Sequence, residues 1–172
     1  MPNTIAFTLY DLSGNLSADN EFRDSQVRTA YFIQAVRQEP VATKITRMTD
    51  WIAAPDHEPW CTWLYFSSGT AMQGWIKFGS QSPTPMGDHL RPLAPTSSTR
   101  CYTGLDGREY MWRHASRRLE CYDNQERLLA VYEYLLDDVY FAKLDIKWGA
   151  EPLVTEIVTT LLLNRHAIRR SS

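Results

Sequence analysis

Between Leu153 and Leu163 the chain reads LVTEIVTTLLL, and no other segment limits its fold so tightly. On a helix, Leu153, Val154, Ile157, Val158, Leu161, Leu162 and Leu163 cover well over half the circumference. The gaps are mostly threonine, whose hydroxyl can bond to the carbonyls of its own helix. A helix apolar nearly all round is a buried helix, so the rest of the chain must enclose it. Gly149-Ala150-Glu151-Pro152 reads as the start, with proline in the first turn and an acid at the positive end of the dipole. Arg165, Arg169 and Arg170 complement the opposite end and mark the return to water.

The enclosing material reads as strands. Thr4–Tyr10, Arg28–Val36, Ala42–Met48, Trp60–Phe66 and Gln73–Phe78 are rich in β-branched and aromatic residues, with residues 15–26 polar and irregular. The aromatic fraction of 12%, with six Trp and nine Tyr, points the same way. Arg100–Thr103, Arg108–His114, Arg117–Tyr122, Leu128–Tyr134 and Val139–Trp148 follow at regular spacing. Together they predict one mainly β (α+β) domain over residues 1–172, an antiparallel barrel or sandwich of about 9–12 strands around the C-terminal helix. Ala53–Pro59 and residues 79–99 carry prolines and turn formers and read as surface loops, the second long and mobile.

Charge and cysteine content narrow the function. A net charge of −2 supplies no global field to recruit nucleic acid or an anionic membrane, so no nucleic-acid partner is expected. Cys61, Cys101 and Cys121 are an odd number without a C-x-x-C pair, which argues against a disulfide framework or a zinc site. No signal peptide and no run of about 18 apolar residues is evident, so a cytoplasmic location without a membrane-spanning helix is expected.

Asp106-Gly107-Arg108-Glu109-Tyr110-Met111-Trp112-Arg113 sets a glycine turn before Tyr-x-Trp-basic. With Leu119, Ala130-Val131-Tyr132, Leu144-Asp145-Ile146 and Ile157–Leu162 ahead of a basic tail, the stretch from about residue 99 to 170 resembles an uncharacterised family of mushroom-forming basidiomycete fungi. The order of many short strands and one hydrophobic C-terminal helix is similar to the tubby-like barrel, shared by LURP-one-related proteins and phospholipid scramblases. The resemblance implies a tubby C-terminal-like fold and no defined catalytic residues. It also makes phosphoinositide binding, known for tubby itself, a relevant precedent.

Several residue groups invite chemistry. Cys61 near His57 and Glu58 could form a nucleophile with its base, although a cysteine within WCTWLYF suits the core better. His57, Glu58, Asp88, His89 and His114 are the acid–base candidates; a metal site from their loops is conceivable, but no spacing demands one, and no cofactor is implied. Arg113, Arg117 and Arg118 form the local basic cluster, able to clamp phosphate or carboxylate unless they simply coat a hairpin tip. Trp51 and Trp60 are read as exposed loop aromatics that could stack on a ligand.

Phosphate-cradling glycine loops, nucleophile elbows and His-Glu-x-x-His motifs are absent. The best-supported reading is a non-catalytic cytosolic binding module for a lipid headgroup, a small apolar molecule or a protein partner. An isomerase, cyclase or hydrolase of fungal secondary metabolism is the alternative, and a lectin a further one. With a helix filling the barrel, the site is expected on loops at its ends or in an external groove, with 51–60 and 79–99 favoured.

Overall fold

A computed structural model of the chain describes residues 4–37, 41–51, 61–67 and 73–170, with the backbone only at Arg170. Among these residues, thirteen antiparallel strands form one sheet. The first half contributes β1 (Ile5–Asp11), β2 (Asn20–Asp24), β3 (Thr29–Val36), β4 (Ala42–Arg47), β5 (Cys61–Phe66), β6 (Gly74–Phe78) and the two-residue β7 (Thr84–Pro85). After the short helix α1 (Met86–His89) come β8 (Arg91–Pro92), β9 (Arg100–Thr103), β10 (Glu109–Ala115), β11 (Arg118–Asp123), β12 (Leu128–Tyr134) and β13 (Ala142–Lys147). A 3-10 turn, Glu151–Leu153, leads into helix α2 (Val154–Arg170).

Every strand pairs with its neighbours in sequence except across β7–β8, and β1 also pairs with β13, joining the two ends of the meander. Among the described residues the ring of hydrogen bonds is broken only between β7 and β8, so the sheet is not closed. Both edge strands carry a proline, which cannot donate to a ladder and so belongs at an edge. Helix α1 spans this seam, with Met86 and Leu90 buried in the core. Residues 79–99 are therefore not a free loop, as their prolines suggested; they carry both edges of the sheet and the segment that joins them.

Helix α2 lies within the sheet. Its residues 154–165 are all buried, and the apolar ones share one hydrophobic cluster with side chains from twelve of the other elements, among them Phe22, Tyr31, Leu64, Tyr102, Trp112, Leu119, Tyr132 and Leu144. Polar positions on α2 are tied to different walls. Tyr31 on β3 shares a 2.7 Å hydrogen bond with Thr155, and the Trp112 indole on β10 donates to Thr160 at 2.9 Å. The Thr160 hydroxyl in turn donates to the Glu156 carbonyl, so a buried threonine is satisfied on its own helix.

Strand β2 falls inside the stretch read as irregular. Its buried positions are Asn20, Phe22 and Asp24, so two of its three inward side chains are polar and the usual alternation is hidden. Asp24 opens a turn that recurs at Asp123. In Asp24-Ser25-Gln26-Val27-Arg28 the carboxylate accepts the N–H groups of Gln26 and Arg28 and the Arg28 guanidinium. In Asp123-Asn124-Gln125-Glu126-Arg127 it accepts the same three bonds. The fourth residue is left-handed in both, with φ of 64° at Val27 and 59° at Glu126, and a register shift precedes each turn. The two halves of the sheet thus use one hairpin design twice.

Candidate functional site

Helix α2 occupies the interior, and a hollow opens beside its C-terminal end. At the C-terminal end, β1 finishes on Asp11, a carboxylate with no exposure. One of its oxygens accepts the Tyr132 hydroxyl at 2.7 Å and the Arg165 guanidinium at 3.3 Å. The other accepts the Asn20 amide at 2.7 Å and the Gly14 N–H at 2.8 Å. Arg165 donates its second terminal nitrogen to the Gly14 carbonyl at 2.8 Å and lies over the rings of Tyr132 and Phe141. Burial pushes the Tyr132 hydroxyl well above its ordinary pKa, and the Asp11 charge adds to this, so the phenol stays a donor. Gly14 is left-handed, with φ of 62°, and a Cβ there would run into the Phe141 ring; the turn needs glycine on both counts.

Above this pair opens a cleft of about 290 Å3, lined by Gly14, Asn15, Leu16, Tyr134, Arg165, Ile168 and Arg169. Its walls combine two guanidinium groups, a phenol and an amide with the apolar Leu16 and Ile168. Arg169 is exposed and donates to the Ser17 hydroxyl at 3.2 Å. The loop after Tyr134 is held by Asp137, whose carboxylate accepts the N–H groups of Val139 and Tyr140. It presents Leu136 and Val139 to solvent at 85% and 70% exposure. Such an arrangement can hold a small anionic group against the arginines while an apolar portion rests on Leu16 and Ile168.

The residues singled out in the sequence lie elsewhere. Trp51 is only 4% exposed, packed edge-on to Phe7 and Tyr31 with the Arg47 guanidinium over its ring, so it is a core residue and not an open stacking surface. His57, Glu58 and Trp60 lie outside the described residues. Asp88 is exposed on α1, whereas His89 is packed between Phe78 and Tyr102 at the seam. Burial, with a lesser push from Arg91, lowers the His89 pKa to about 4, so its imidazole is neutral near pH 7. His114 is exposed on the β10–β11 hairpin, so the described acid–base candidates do not form one constellation.

Two of the three arginines of the basic cluster on the β10–β11 hairpin are engaged with carboxylates. Arg113 pairs with Glu126 at 2.9 Å and lies over the Tyr122 ring; Arg118 pairs with Glu120 at 2.6 Å; Arg117 is exposed. Cys61 is half-buried on the outer face and not in the core, while Cys101 and Cys121 are buried; all three are free thiols. Burial pushes the Cys121 thiol up to about 12, which leaves it inert as a nucleophile. Among the described residues, no group of three His, Cys, Asp or Glu side chains could hold a metal ion. No helix is long and apolar enough to cross a membrane among the residues described.

Sequence reasoning missed Asp11, one residue beyond the strand read as Thr4–Tyr10, and Leu16, in the stretch read as irregular. Arg165 and Arg169 carried the spacing of one helical face, which places both at the same mouth. Comparison with curated proteins and with solved structures gives no match in either set. The pattern defining DUF6593, described as a family of unknown function, matches residues 15–170, which takes in β2 through α2 and every residue of the cleft except Gly14. The chain belongs to this family.

Proposed function

We propose that the protein is a non-catalytic binding module, working in the cytosol, whose ligand is a small amphiphile with a phosphate or carboxylate head. One observation carries this reading. The interior of the sheet is filled by α2, and beside its C-terminal end lies a cleft that joins Arg165 and Arg169 to Tyr134, Leu16 and Ile168. Arg165 is committed to Asp11 and holds the floor, whereas Arg169 reaches out with only the Ser17 hydroxyl as described partner. At about 290 Å3 the cleft suits a headgroup or small metabolite better than a whole lipid. The exposed Leu136 and Val139 beside it would rest on apolar surface flanking such a headgroup. Three free thiols suit a reducing compartment.

Titration with soluble inositol phosphates, with a medium-chain fatty acid, and with phosphatidylcholine vesicles with and without a phosphoinositide tests the reading. Saturable binding to one of these, weakened about tenfold or more by Arg169→Glu, is expected from the loss of one charge-assisted hydrogen bond. Binding to none of them, or binding indifferent to Arg169→Glu, contradicts it.

A further inference from the structure

The net charge of −2 averages over two unlike surfaces. Across β8–β13 the outer face is laced with ion pairs: Arg91–Glu109, Arg113–Glu126, Arg118–Glu120, and Lys143 with both Glu133 and Asp145. Across β3–β7 the outward positions fall in lines set by the register. One line is Gln34–Lys44–Trp63–Lys77 and the next is Val36–Ala42–Tyr65–Trp75–Pro85. None of these positions is acidic, and neither Lys44 nor Lys77 pairs with a carboxylate among the described residues. The Trp63 and Tyr65 rings lie nearly parallel, 8° apart with centroids at 5.7 Å, the Lys44 ammonium is 5.2 Å from the Trp63 centroid, and Trp75 is 49% exposed.

Clustered aromatic rings beside two lysines that have no carboxylate partner among the described residues match the chemistry of a single-stranded nucleic acid, whose bases stack while its phosphates meet ammonium groups. An ordinary solvated face of an antiparallel sheet carries mixed charge, as the opposite half of this one does. We propose that the outer face of β3–β6 binds single-stranded nucleic acid of a few nucleotides, with bases on Trp75 and the Trp63–Tyr65 pair and phosphates on Lys44 and Lys77. This surface shares no residue with the cleft, so the two readings can fail separately.

Fluorescence anisotropy with short labelled oligouridylate and oligothymidylate tests it on the full chain. Trp75→Ala should weaken binding by about 5- to 150-fold, equivalent to about 1–3 kcal/mol, with an unchanged melting temperature because the side chain is half exposed. Two phosphate contacts predict a slope of log K against log salt of about −1.4, falling to about −0.7 in Lys77→Gln. Arg169→Glu should leave oligonucleotide binding unchanged. The proposal is overturned by no binding of either oligonucleotide, by binding insensitive to Trp75→Ala, or by tighter binding of polyglutamate, which would make the face a dock for an acidic protein segment.

Discussion

The two ends of helix α2 use similar means to opposite effect. At the N-terminal end, the buried Glu156 carboxylate accepts the Leu105 N–H at 2.5 Å, and the Tyr110 hydroxyl donates to Asp106 at 2.6 Å. Gly104 packs so closely against Tyr110, Asp106 and Glu156 that a Cβ would lie 2.6 Å from the Tyr110 ring. Glu156 in the first helical turn also meets the positive end of the helix dipole. At the C-terminal end, Asp11 again anchors a loop through backbone N–H, but it is joined by a guanidinium, and the hollow beyond stays open. At one end Glu156 holds the loop through the Leu105 N–H, with Tyr110 tied to Asp106 beside it; at the other, Asp11 is shared with Arg165, which leaves a cation at the mouth. The difference lies in the partner, not in the anchor.

The largest effect should come from breaking what both ends depend on. Leu161→Asp places a charge in the fully buried middle of α2 and should abolish cooperative folding, since an unpaired buried charge costs more than the whole stability of a small domain. A soluble, cooperatively melting variant would break the comparison outright.

Next comes a contrast between the ends. Asp11→Ala leaves Arg165 buried and unpaired and should cost about 3–5 kcal/mol in chemical denaturation. Glu156→Gln keeps an acceptor for Leu105 and removes its charge, so a loss of about 1 kcal/mol, below the usual worth of a hydrogen bond to a charged group, is expected. Equal losses would show that the two anchors are not different in kind.

The sealed end also contains the twin Asp-x-Gln-x-Arg turns. Burial pushes the carboxyls of Asp24 and Asp123 up, but the N–H groups of Arg28 and Arg127, their guanidinium groups and the N–H groups of Gln26 and Gln125 together hold both below the usual carboxylate range. A depressed native pKa contributes stability that is full above the unfolded value of about 4 and is lost as pH falls through the native value. Urea denaturation should therefore show stability falling below about pH 4, and less steeply in Asp24→Asn and in Asp123→Asn. An unchanged pH profile in both variants would detach these turns from the fold's acid sensitivity.

The smallest effect is a gain. Val27 is a β-branched residue in left-handed backbone and is 59% exposed, so Val27→Gly should stabilise by about 1 kcal/mol. Glu126 occupies the matching position but pairs with Arg113, so Glu126→Gly should gain less, and thermal melts of the two variants decide the order.

Much of this architecture is legible in the sequence where one residue type repeats at one period. The apolar run of Leu153–Leu163 marks α2, and the regular strands after residue 100 mark β9–β13. Legibility fails where polar side chains face inward. Strand β2 is disguised by Asn20 and Asp24, which are buried because Asp11 and the Arg28 turn satisfy them. It fails again where prolines form sheet edges, at Pro85 and Pro92, since the same residues mark ordinary loops. Trp51 looked like a loop aromatic, yet it folds back onto Phe7 and Tyr31. The cleft was hidden for a different reason. Asp11 and Arg165 are 154 residues apart, and only the β1–β13 pairing and the return of α2 bring them together.

Hydrogen exchange along α2 tests the central claim most directly. If the helix fills the sheet, the amides of Ile157–Leu163 exchange only through global unfolding, with protection equal to that of the paired strands β1 and β13. Exchange of those amides at a free energy well below the global value, while β1 and β13 stay protected, would show that α2 is a detachable appendage, and with it the reason for placing the site at its C-terminal end would fall.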